Sequence, residues 1–458
     1  MGTEHLQTTT RTMSAVSAPP AAGEGERPGL VVIWSEDRPT CLPLALGDEP
    51  LELGRQPSEG MTAIEDPSVS RRHTRITVEP QGIRVTDLGS RNGTFVDGER
   101  VLERLLAGPP RLLRLGHTLL RGVRDIRPFL RGGVEQGEGG VVGPTLRATR
   151  EILARTAAAG DPLLITGPSG AGKELAARAY HAATGRRGPF VAVNCAAIPS
   201  ALAERLFFGA RRGAYSGAAA DADGYIQAAD TGTLFLDEIA ELDLLVQPKL
   251  LRVIETREVL ELGASRPRKV DIRLCAATLK DLPAEAAAGR FREDLYFRIG
   301  RPELRLPPLC ERVEEIPYLA CAELRRVDAR LAPSSLLLEA CALRAWPGNV
   351  RELLLALREA ARAALVAGRL TVEPHDLPSS AGQGVARGAA AARPGARLTL
   401  QRDAVEAALR EQRGNVTGAA RALGVHRTQL RRWLSRHVVD PRTFDDEHGE
   451  ARATGPCD

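Results

Sequence analysis

The chain has 458 residues, which is long for a single domain and predicts about three domains of roughly 150 residues each. Its net charge of +4 does not by itself indicate a nucleic-acid partner, so any DNA contact must come from a local basic cluster. Seven scattered cysteines without CxxC spacing argue against a disulfide framework or a zinc site, and no apolar run nears the roughly 20 residues of a membrane span. A soluble protein of the reducing cytoplasm is therefore expected.

The N-terminal part divides into a tail and a compact module. Residues 1 to 27 are rich in Thr, Ser, Ala, Pro and Gly without apolar periodicity, which predicts a flexible tail. Residues 28 to 128 hold short alternating apolar runs broken by Gly, Asn and Asp, the pattern of an all-β sandwich. Within them, RNGTFVDG at residues 91 to 98 is a strong hairpin signal.

Three motifs of this module stand at suitable spacing: GR ending at Arg55, SRRH beginning at Ser70, and RNGTFVDG. Together they resemble the motifs of a forkhead-associated (FHA) domain. The resemblance implies a phosphothreonine site in which guanidinium groups supply charge and a hydroxyl donates to the phosphate. Its residues would be Arg55, Ser70, Arg71 and Asn92, with His73 in an architectural role. Taken singly, each of them reads equally well as an ordinary loop residue.

The N-terminal tail offers one candidate ligand for this site. Its segment TTTRT presents Thr8, Thr9, Thr10 and Thr12 to a kinase. The expected ligand is therefore either a phosphothreonine protein or the chain's own phosphorylated tail.

The middle of the chain predicts an α/β domain behind a linker. Residues 129 to 141 include the glycine-rich stretch RGGVEQGEGG, which predicts a flexible linker. Between residues 142 and 378, apolar strands such as PLLITG and GTLFLDE alternate with helical patterns, as expected for a parallel sheet covered by helices. The part from about residue 309 is expected to be wholly helical.

The nucleotide-binding signal is GPSGAGKE, which follows the strand LLIT and opens a helix. Its glycines let backbone N–H groups approach a triphosphate closely, and its lysine should reach the β- and γ-phosphates of ATP. Glu174 stands where many such loops place Ser or Thr. The predicted nucleotide-binding residues here are Gly167, Gly170, Gly172, Lys173 and Glu174.

A second strand ends in LFLDE and places two carboxylates at the same edge of the sheet. Asp237 is expected to hold Mg²⁺, and Glu238 to polarise the attacking water. The alternative is that the pair only caps the start of the next helix.

Between these two motifs lies GAYSGA, preceded by RLFFGARR. With the nucleotide motifs it makes residues 142 to 378 resemble the AAA+ domain of sigma-54-dependent activators, whose GAFTGA loop contacts sigma-54. The resemblance implies a contact with sigma-54 RNA polymerase through Gly213, Ala214, Tyr215, Ser216, Gly217 and Ala218. Tyr215 and Ser216 replace the family's usual Phe and Thr, and an ordinary glycine-rich surface loop is the alternative.

The same resemblance implies three roles inside the ATPase domain. Asn194 would pair with Glu238 and release it when ATP is bound, although it could equally be a turn asparagine. Arg351, in the lid motif WPGNVREL, would sense the γ-phosphate. The family's first sensor is usually Asn, whereas this chain has Leu279, which leaves two alternatives open, substitution by Thr278 or slow hydrolysis.

The segment FREDLYFRI resembles the family segment whose two arginines reach the nucleotide of a neighbouring subunit. They would be Arg292 and Arg298 here, and they imply a ring, by resemblance a hexamer. On a lone helix the same arginines would be solvated or paired with Glu293 and Asp294.

The C-terminal part predicts a DNA-binding module. Residues 379 to 397 form a second linker, residues 398 to 440 hold three short helical segments, and residues 441 to 458 form a tail. The segments NVTGAARALG and VHRTQLRRWLSRH fit an all-α helix-turn-helix and resemble the Fis-type domain. The residues expected to reach double-stranded DNA are Arg427, Thr428, Gln429, Arg431 and Arg432, whereas Leu430 and Trp433 should pack the core.

The resemblances together imply a sigma-54-dependent transcriptional regulator built from an FHA sandwich, an AAA+ ATPase with a helical lid, and a helix-turn-helix. Leu279 and the altered GAYSGA loop leave a rival interpretation open, a non-catalytic DNA-binding adaptor or repressor that assembles with ATP. A second rival is an AAA+ remodeller of another substrate.

Overall fold

The computed structural model describes residues 26–56, 62–137, 140–214, 220–383, 402–412 and 414–423, together with residues 430, 433, 434, 437, 439, 440 and 443. The chain folds as two compact units, Met1–Val385 and Ala386–Asp458. None of the described helices is long and apolar enough to cross a membrane.

The first domain is a sandwich of two sheets, which confirms the predicted all-β fold. Its strands are β1 (Gly29–Ser35), β2 (Arg38–Ala45), β3 (Leu51–Gly54), β4 (Thr62–Ala63), β5 (Thr74–Glu79), β6 (Gly82–Asp87), β7 (Thr94–Val96), β8 (Glu99–Val101), β9 (Glu103–Leu106), β10 (Leu112–Leu115) and β11 (Thr118–Val123). One sheet has the order β2-β1-β11-β10-β7-β8 and the other β4-β3-β5-β6-β9. Leu30, Val32 and Leu53 belong to the apolar core of this sandwich.

The hairpin predicted from RNGTFVDG is confirmed between β7 and β8. Its two turn residues, Asp97 and Gly98, have φ of 52° and 86°. Positive φ at both central positions is the geometry of the tight hairpin turn that favours Asp-Gly.

The connection to the second domain differs from the predicted flexible linker. It contains helix α1 (Arg127–Leu130) and the hairpin of β12 (Glu135–Gly137) with β13 (Gly140–Val142), before helix α2 (Pro144–Ala159). The reason is that the Arg147 guanidinium on α2 donates to the carbonyl oxygens of Gly132 at 3.2 Å and Gly133 at 2.8 Å. Glycine content alone did not reveal these partners.

The second domain is built on a parallel sheet, which confirms the predicted α/β fold. Its further elements are β14 (Leu163–Thr166), α3 (Lys173–Ala183), β15 (Phe190–Asn194), α4 (Ser200–Phe208), α5 (Tyr225–Ala228), β16 (Thr233–Asp237), α6 (Gln247–Thr256), β17 (Glu258–Val259), β18 (Arg268–Lys269), β19 (Arg273–Thr278), α7 (Leu282–Ala287), α8 (Glu293–Ile299) and β20 (Glu303–Arg305). The main sheet has the order β15-β16-β19-β14-β20, with every neighbouring pair parallel. The carboxyl ends of its strands therefore share one edge.

The lid follows this sheet and is mainly helical. It contains α9 (Ile316–Val327), β21 (Ala332–Pro333), α10 (Ser335–Leu343), α11 (Asn349–Val366) and β22 (Thr371–Val372). The prediction of a wholly helical segment was wrong in one respect, because β21 and β22 form a short parallel pair, with Ala332 beside Thr371. Two residues per strand are too few to produce a periodic sequence signal.

The FHA-like sandwich packs directly against this lid. Strand β1 is apolar on both faces: Leu30 and Val32 enter the sandwich core, whereas Val31 and Ile33 join one contiguous apolar cluster with lid residues. The lid residues of that cluster include Ile316, Ala320, Leu337, Leu338 and Cys341. Two ion pairs cross the same interface, Arg114 with Glu339 and Arg121 with Glu314.

The second unit contains α12 (Arg402–Glu411), α13 (Val416–Ala422) and helical residues at 430, 433, 434 and 437. The start of α13 is capped by Asn415, whose side-chain oxygen accepts from Thr417 N at 3.0 Å. The predicted core role of Leu430 is confirmed, since it is fully buried with Leu409 and Leu434, and Trp433 packs against this cluster.

Candidate functional site

The phosphate-binding loop joins β14 to α3, as the GPSGAGKE motif predicts. Gly170 and Gly172 have φ of 71° and 103°, a region that disfavours residues with a β-carbon. Helix α3 begins at Lys173, whose side chain is buried and donates from Nζ to Gly167 O at 3.1 Å. An ammonium group is thus held inside the loop at a helix N-terminus, the arrangement that binds phosphate.

The two predicted acids lie at the carboxyl end of β16, beside this loop. Asp237 accepts a hydrogen bond from Glu238 N at 3.1 Å. Glu238 has φ of 52°, and its Oε1 lies 3.7 Å from Lys173 Nζ, while its Oε2 accepts from Leu279 N at 3.2 Å. The Glu238 side chain makes no capping bond to the short helical turn that follows, so the capping alternative does not account for it.

Asn194 ends β15 and lies beside Asp237 in the sheet. Its side-chain oxygen accepts from Ala196 N at 3.0 Å, which is the turn role considered as an alternative. Among the hydrogen bonds of the described residues, none joins Asn194 to Glu238. The predicted pair therefore stays a prediction for the nucleotide-bound protein.

The first-sensor position is occupied by an apolar side chain. The Leu279 side chain is 51% exposed, and only its backbone N–H reaches Glu238. The hydroxyl of Thr278 accepts from Lys280 N at 3.0 Å and is fully buried, so it is committed to its own turn. Thr278 consequently does not replace the missing amide.

The two remaining predicted nucleotide contacts, Glu174 and Arg351, lie in different surroundings. Glu174 lies on the exposed side of α3, where its carboxylate binds Arg178 at 2.8 Å. Arg351, near the start of α11, is exposed and lies against the phosphate loop, because a β-carbon placed on Gly170 would come within 3.1 Å of Arg351 Cβ.

A residue that the sequence reasoning missed, Asn349, joins the lid to the phosphate loop. It is 2% exposed and has φ of 52°. Its Nδ2 donates to Ser169 O at 2.9 Å, and its Oδ1 accepts from Leu309 N at 2.8 Å. The available signal was an Asn between Pro-Gly and a helix start, a position where αL geometry is common.

A buried charged cluster, also missed, touches the same loop from the segment ERVEE. Arg312 donates from Nη2 to Ala171 O at 2.7 Å and from Nη1 to Glu315 at 3.1 Å. Glu315 accepts in turn from Gly143 N at 2.8 Å, and burial raises the pKa of its carboxyl to about 7. A run of charges normally indicates a solvated face, so the burial of this cluster could not be predicted from its local pattern.

An apolar cavity of about 70 Å³ adjoins the phosphate loop. Its lining includes Val142, Leu146, Gly172, Leu175, Leu306 and Arg312. The buried Nε of Arg312 has no hydrogen-bond partner among the described residues, which leaves a donor for a ligand.

The two arginines predicted to act on a neighbouring subunit are exposed, Arg292 directly before α8 and Arg298 within it. Arg292 binds Asp294 at 2.7 Å, and this hydrogen bond lowers the pKa of the Asp294 carboxyl. Arg298 is exposed and has no ion-pair partner in the described part of the chain. Phe297 between them is 71% exposed.

The predicted polymerase loop is described only at its first two residues. Gly213 is exposed with φ of 81°, and Ala214 N donates to Arg211 O at 3.0 Å. Arg211 binds Asp221 at 2.8 Å and closes the base of the loop. The remaining predicted residues, Tyr215, Ser216, Gly217 and Ala218, lie outside the described residues.

The predicted phosphothreonine site comes together at one end of the sandwich. Ser70 O accepts from Arg55 N at 2.9 Å, and Ser70 Oγ accepts from Arg91 N at 3.0 Å. Asn92 Nδ2 donates to Ser68 O at 2.6 Å. Three loops are thus fixed together, and they carry the predicted residues Arg55, Ser70, Arg71 and Asn92.

The arginines around this site form two groups, those that bind a buried carboxylate and those that are exposed without an ion pair in the described residues. Arg72 and Arg75 both bind the buried Glu52, at 3.0 and 2.6 Å. Arg55 and Arg71 are exposed and carry no ion pair within the described ranges, so two guanidinium groups remain for an anion. Phosphate recognition by arginine requires such guanidinium groups, which are not already paired with a carboxylate.

The architectural role predicted for His73 is confirmed. It is fully buried, its Nδ1 accepts from Ser70 N at 3.1 Å, and its Nε2 lies 3.1 Å from Gly93 O. Burial lowers the pKa of this imidazole, which keeps Nδ1 free to accept. The ring therefore ties the Ser70 loop to the turn that carries Asn92.

Two sets of predicted residues lie outside the described residues. They are the predicted DNA contacts Arg427, Thr428, Gln429, Arg431 and Arg432, and the tail threonines Thr8, Thr9, Thr10 and Thr12.

Family profiles match all three modules in chain order. The sigma-54 interaction domain matches residues 142–305, the FHA domain residues 51–119, and the bacterial regulatory protein Fis family residues 399–437.

Relatives support the same assignment. The chain is 42% identical over 309 residues to the response regulator protein PilR of Pseudomonas aeruginosa, covering 65% of this chain and 69% of that protein. It is 39% identical over 298 residues to the transcriptional regulatory protein GlrR of Escherichia coli, covering 62% of this chain and 64% of that protein. The chain thus spans about two thirds of the length of these relatives.

Among solved structures, NtrX from Brucella abortus is similar, with 29% identity and a TM-score of 0.47 over 64% of this chain and 67% of that one. The three profile matches and the relatives agree with the phosphate loop, the paired acids and the sandwich described above. The chain therefore belongs to the sigma-54-dependent transcriptional regulators, and it is an AAA+ ATPase that carries an FHA domain and a Fis-type helix-turn-helix domain.

Proposed function

We propose that the chain acts in the cytoplasm as a DNA-bound activator that uses ATP hydrolysis to remodel sigma-54 RNA polymerase, under the control of phosphothreonine recognition. The observation that carries this proposal is the position of Lys173 Nζ, 3.7 Å from the Glu238 carboxylate. A phosphate-binding cation and a candidate general base share one site. The six described cysteines are free thiols, in keeping with a reducing compartment.

The phosphate loop would receive ATP at the start of α3. Lys173 Nζ would give up its hydrogen bond to Gly167 O and bind the β- and γ-phosphates. Asp237 would hold Mg²⁺, which neutralises charge on the phosphates when bound. No group of three or more His, Cys, Asp or Glu side chains among the described residues suits a metal by itself. A Mg²⁺ held by one carboxylate, water and nucleotide phosphates fits this arrangement.

The adenine base would enter the apolar cavity beside Gly172. Arg312 lines that cavity, and its Nε, which has no partner in the described part of the chain, would donate a hydrogen bond to the base. The same guanidinium holds Ala171 O at 2.7 Å, so recognition of the base and the shape of the phosphate loop share one residue.

Glu238 would polarise the attacking water. Its carboxylate is held by Leu279 N on one oxygen, which leaves the other oxygen near Lys173. Arg351 from the lid would contact the γ-phosphate, and the exposed Arg292 and Arg298 would reach the site of the adjacent subunit. This last role requires a homo-oligomeric ring, which we propose to be a hexamer.

The GAYSGA loop would deliver the result of hydrolysis to sigma-54. The ion pair of Arg211 with Asp221 anchors the base of the loop. A backbone bridge of Ala210 to Leu262 ties the same base to the segment after α6. A change at the nucleotide edge of the sheet would thus reach the loop through this base.

The other two modules would supply location and control. The Fis-type domain would bind an enhancer-like site on double-stranded DNA as a dimer, by placing its third helix in the major groove. Arg55, Ser70, Arg71 and Asn92 would bind a phosphothreonine, either of a partner protein or of the chain's own tail.

The test is ATP-dependent open-complex formation by purified sigma-54 RNA polymerase on a supercoiled promoter that carries the binding site of this protein. Lys173→Ala and Ser216→Ala should each abolish the activity of the wild type, the first by loss of nucleotide and the second at the polymerase contact. Lys269→Ala, which changes an exposed lysine on β18, is the matched control and should retain activity. An inactive wild type, with phosphothreonine peptide present, would overturn the proposal.

One observation favours a second candidate function, a DNA-binding adaptor or repressor that uses ATP only for assembly. The sensor position holds Leu279, whose side chain offers no hydrogen bond to water. ATPase rates that are equal in the wild type and in Glu238→Gln would support the adaptor, whereas a large loss in Glu238→Gln would exclude it.

A further inference from the structure

We propose that Arg114 is a positioning residue that couples occupancy of the phosphothreonine site to the position of the ATPase lid. This inference rests on the proposed phosphothreonine recognition and adds the route by which that recognition reaches the nucleotide. Arg114 lies on β10 of the sandwich, and its side chain is 12% exposed. Its Nε donates to Glu339 Oε2 on lid helix α10 at 2.7 Å.

Arg114 also touches the recognition end of the sandwich. Its guanidinium lies 3.7 Å from the ring centre of Phe95, three residues after Asn92 on the same hairpin. Its Nη1 donates to Gly116 O at 3.3 Å. The Arg114 guanidinium therefore contacts the β7–β8 hairpin, the turn at Gly116 and lid helix α10 at the same time.

A second set of bonds joins that turn to the predicted ligand contact. Asn92 Nδ2 donates to Ser68 O, and Ser68 Oγ accepts from His117 N at 2.7 Å. A side chain on Gly116 would collide with Ser68, which shows how closely the two loops approach. A bound phosphopeptide that displaces Asn92 would consequently also move the turn at Gly116, which Arg114 contacts.

The tip of the same hairpin touches the lid at a different point. A β-carbon placed on Gly98 would lie 3.2 Å from Leu343 Cδ1, and Arg111 Nη2 donates to Leu343 O at 3.2 Å. Leu343 is the last residue of α10. The tip of the hairpin thus meets α10 at Leu343, and Arg114 on the neighbouring strand β10 meets it at Glu339.

From the end of α10 the chain leads directly to the nucleotide loop. Trp346 is buried and donates from Nε1 to Cys341 O at 2.7 Å, which fixes the turn after α10. Asn349, three residues later, donates to Ser169 O in the phosphate loop. The apolar packing of β1 against the lid makes the sandwich and α10 move together rather than slide past each other.

The experiment measures binding coupling in the full-length protein. The probes are a fluorescent ADP analogue and the tightest-binding member of a phosphothreonine peptide library, with its unphosphorylated form as the blank. In the wild type, saturating phosphopeptide should change the Kd for the ADP analogue by roughly fivefold or more, and ADP should change the phosphopeptide Kd by the same factor. In Arg114→Met that factor should fall to one, while each Kd measured alone stays near the wild-type value.

Two further variants separate coupling from general damage. Arg104→Met removes a solvent-exposed ion pair with Glu99, a pair that lies wholly within the first domain, and should leave the coupling factor unchanged. The exchanged pair Arg114→Glu with Glu339→Arg should couple more strongly than either single variant. A coupling factor in Arg114→Met equal to that of the wild type would overturn the inference.

Failure of phosphothreonine recognition and failure of the coupling role of Arg114 would give different results in this experiment. A wild type that binds phosphopeptide and nucleotide without coupling them overturns the role of Arg114 and leaves phosphothreonine recognition intact. A wild type that binds no library member overturns both.

Discussion

Lys173 Nζ lies 3.7 Å from Glu238 Oε1, so the cation of the phosphate loop and the acid after β16 face each other across the nucleotide site. They follow different strands of the sheet, β14 and β16, which are separated by β19. The strand order therefore sets their separation, and the bond of Leu279 N to Glu238, from the end of β19, completes the arrangement.

Glu238→Gln should lower kcat for ATP hydrolysis by about 100-fold or more, because an amide cannot accept a proton from water. The Kd for an ATP analogue should stay close to that of the wild type. Glu241→Gln is the matched control, since it removes only the ion pair with Lys280 at 2.7 Å. Phosphate release and fluorescence titration give the two quantities, and an unchanged kcat in Glu238→Gln would contradict the assigned role.

Asn349→Asp should weaken nucleotide binding and lower the unfolding temperature. The aspartate keeps an acceptor for Leu309 N, but it loses the donor to Ser169 O, which costs about 1 kcal/mol or more, and it places a carboxylate at a site that is 2% exposed. Asn349→Ala should lose these bonds and the bond to Pro347 O, and it should also lower the unfolding temperature, because alanine is disfavoured at a φ of 52°. Calorimetry of both variants with and without ADP gives the stability and the ADP affinity of each, and wild-type ADP affinity in both would rule out the lid contact.

Leu279→Asn should raise kcat for ATP hydrolysis by about tenfold or more, since the amide could orient the water beside Glu238. The leucine is 51% exposed, so the change costs little packing. Leu336→Asn, at a leucine that is 45% exposed on α10, controls for the loss of an exposed apolar side chain. A rate unchanged by Leu279→Asn would mean that another group already places the water.

His73 should make the FHA domain sensitive to acid. Its folded-state pKa is lowered below 6.5 by burial, so the stabilisation from the neutral ring is present above that value and is lost as the pH falls through the folded pKa. The unfolding temperature of the wild type should fall more than that of His73→Gln between about pH 7 and about pH 5. Equal decreases in the two proteins would show that the ring does not titrate in this window.

The sequence contained enough to predict the elements that carry local chemistry. The phosphate loop, the acid pair after β16 and the Asp97-Gly98 hairpin each depend on residues adjacent in the chain, and each was predicted correctly in position. Arg55, Ser70, Arg71 and Asn92 could be grouped only through their resemblance to a known family, because their contacts span three loops.

Contacts between distant segments escaped prediction for a physical reason. Arg312 and Glu315 have the composition of a solvated face, yet they are buried because Ala171 O and Gly143 N supply their partners. Arg147 likewise orders a glycine-rich segment by binding its carbonyl oxygens. Nothing in the local pattern of these residues reveals partners more than ten positions away.

The two-sided burial of β1 limits how this regulator can be rebuilt. Exchanging the FHA domain for another sensor would remove Val31 and Ile33 from the apolar cluster that they share with Leu337, Leu338 and Cys341. An apolar patch uncovered in this way invites self-association. A functional chimera would have to carry the outer face of β1 along with the new sensor, so sensor and lid are expected to be inherited as one unit.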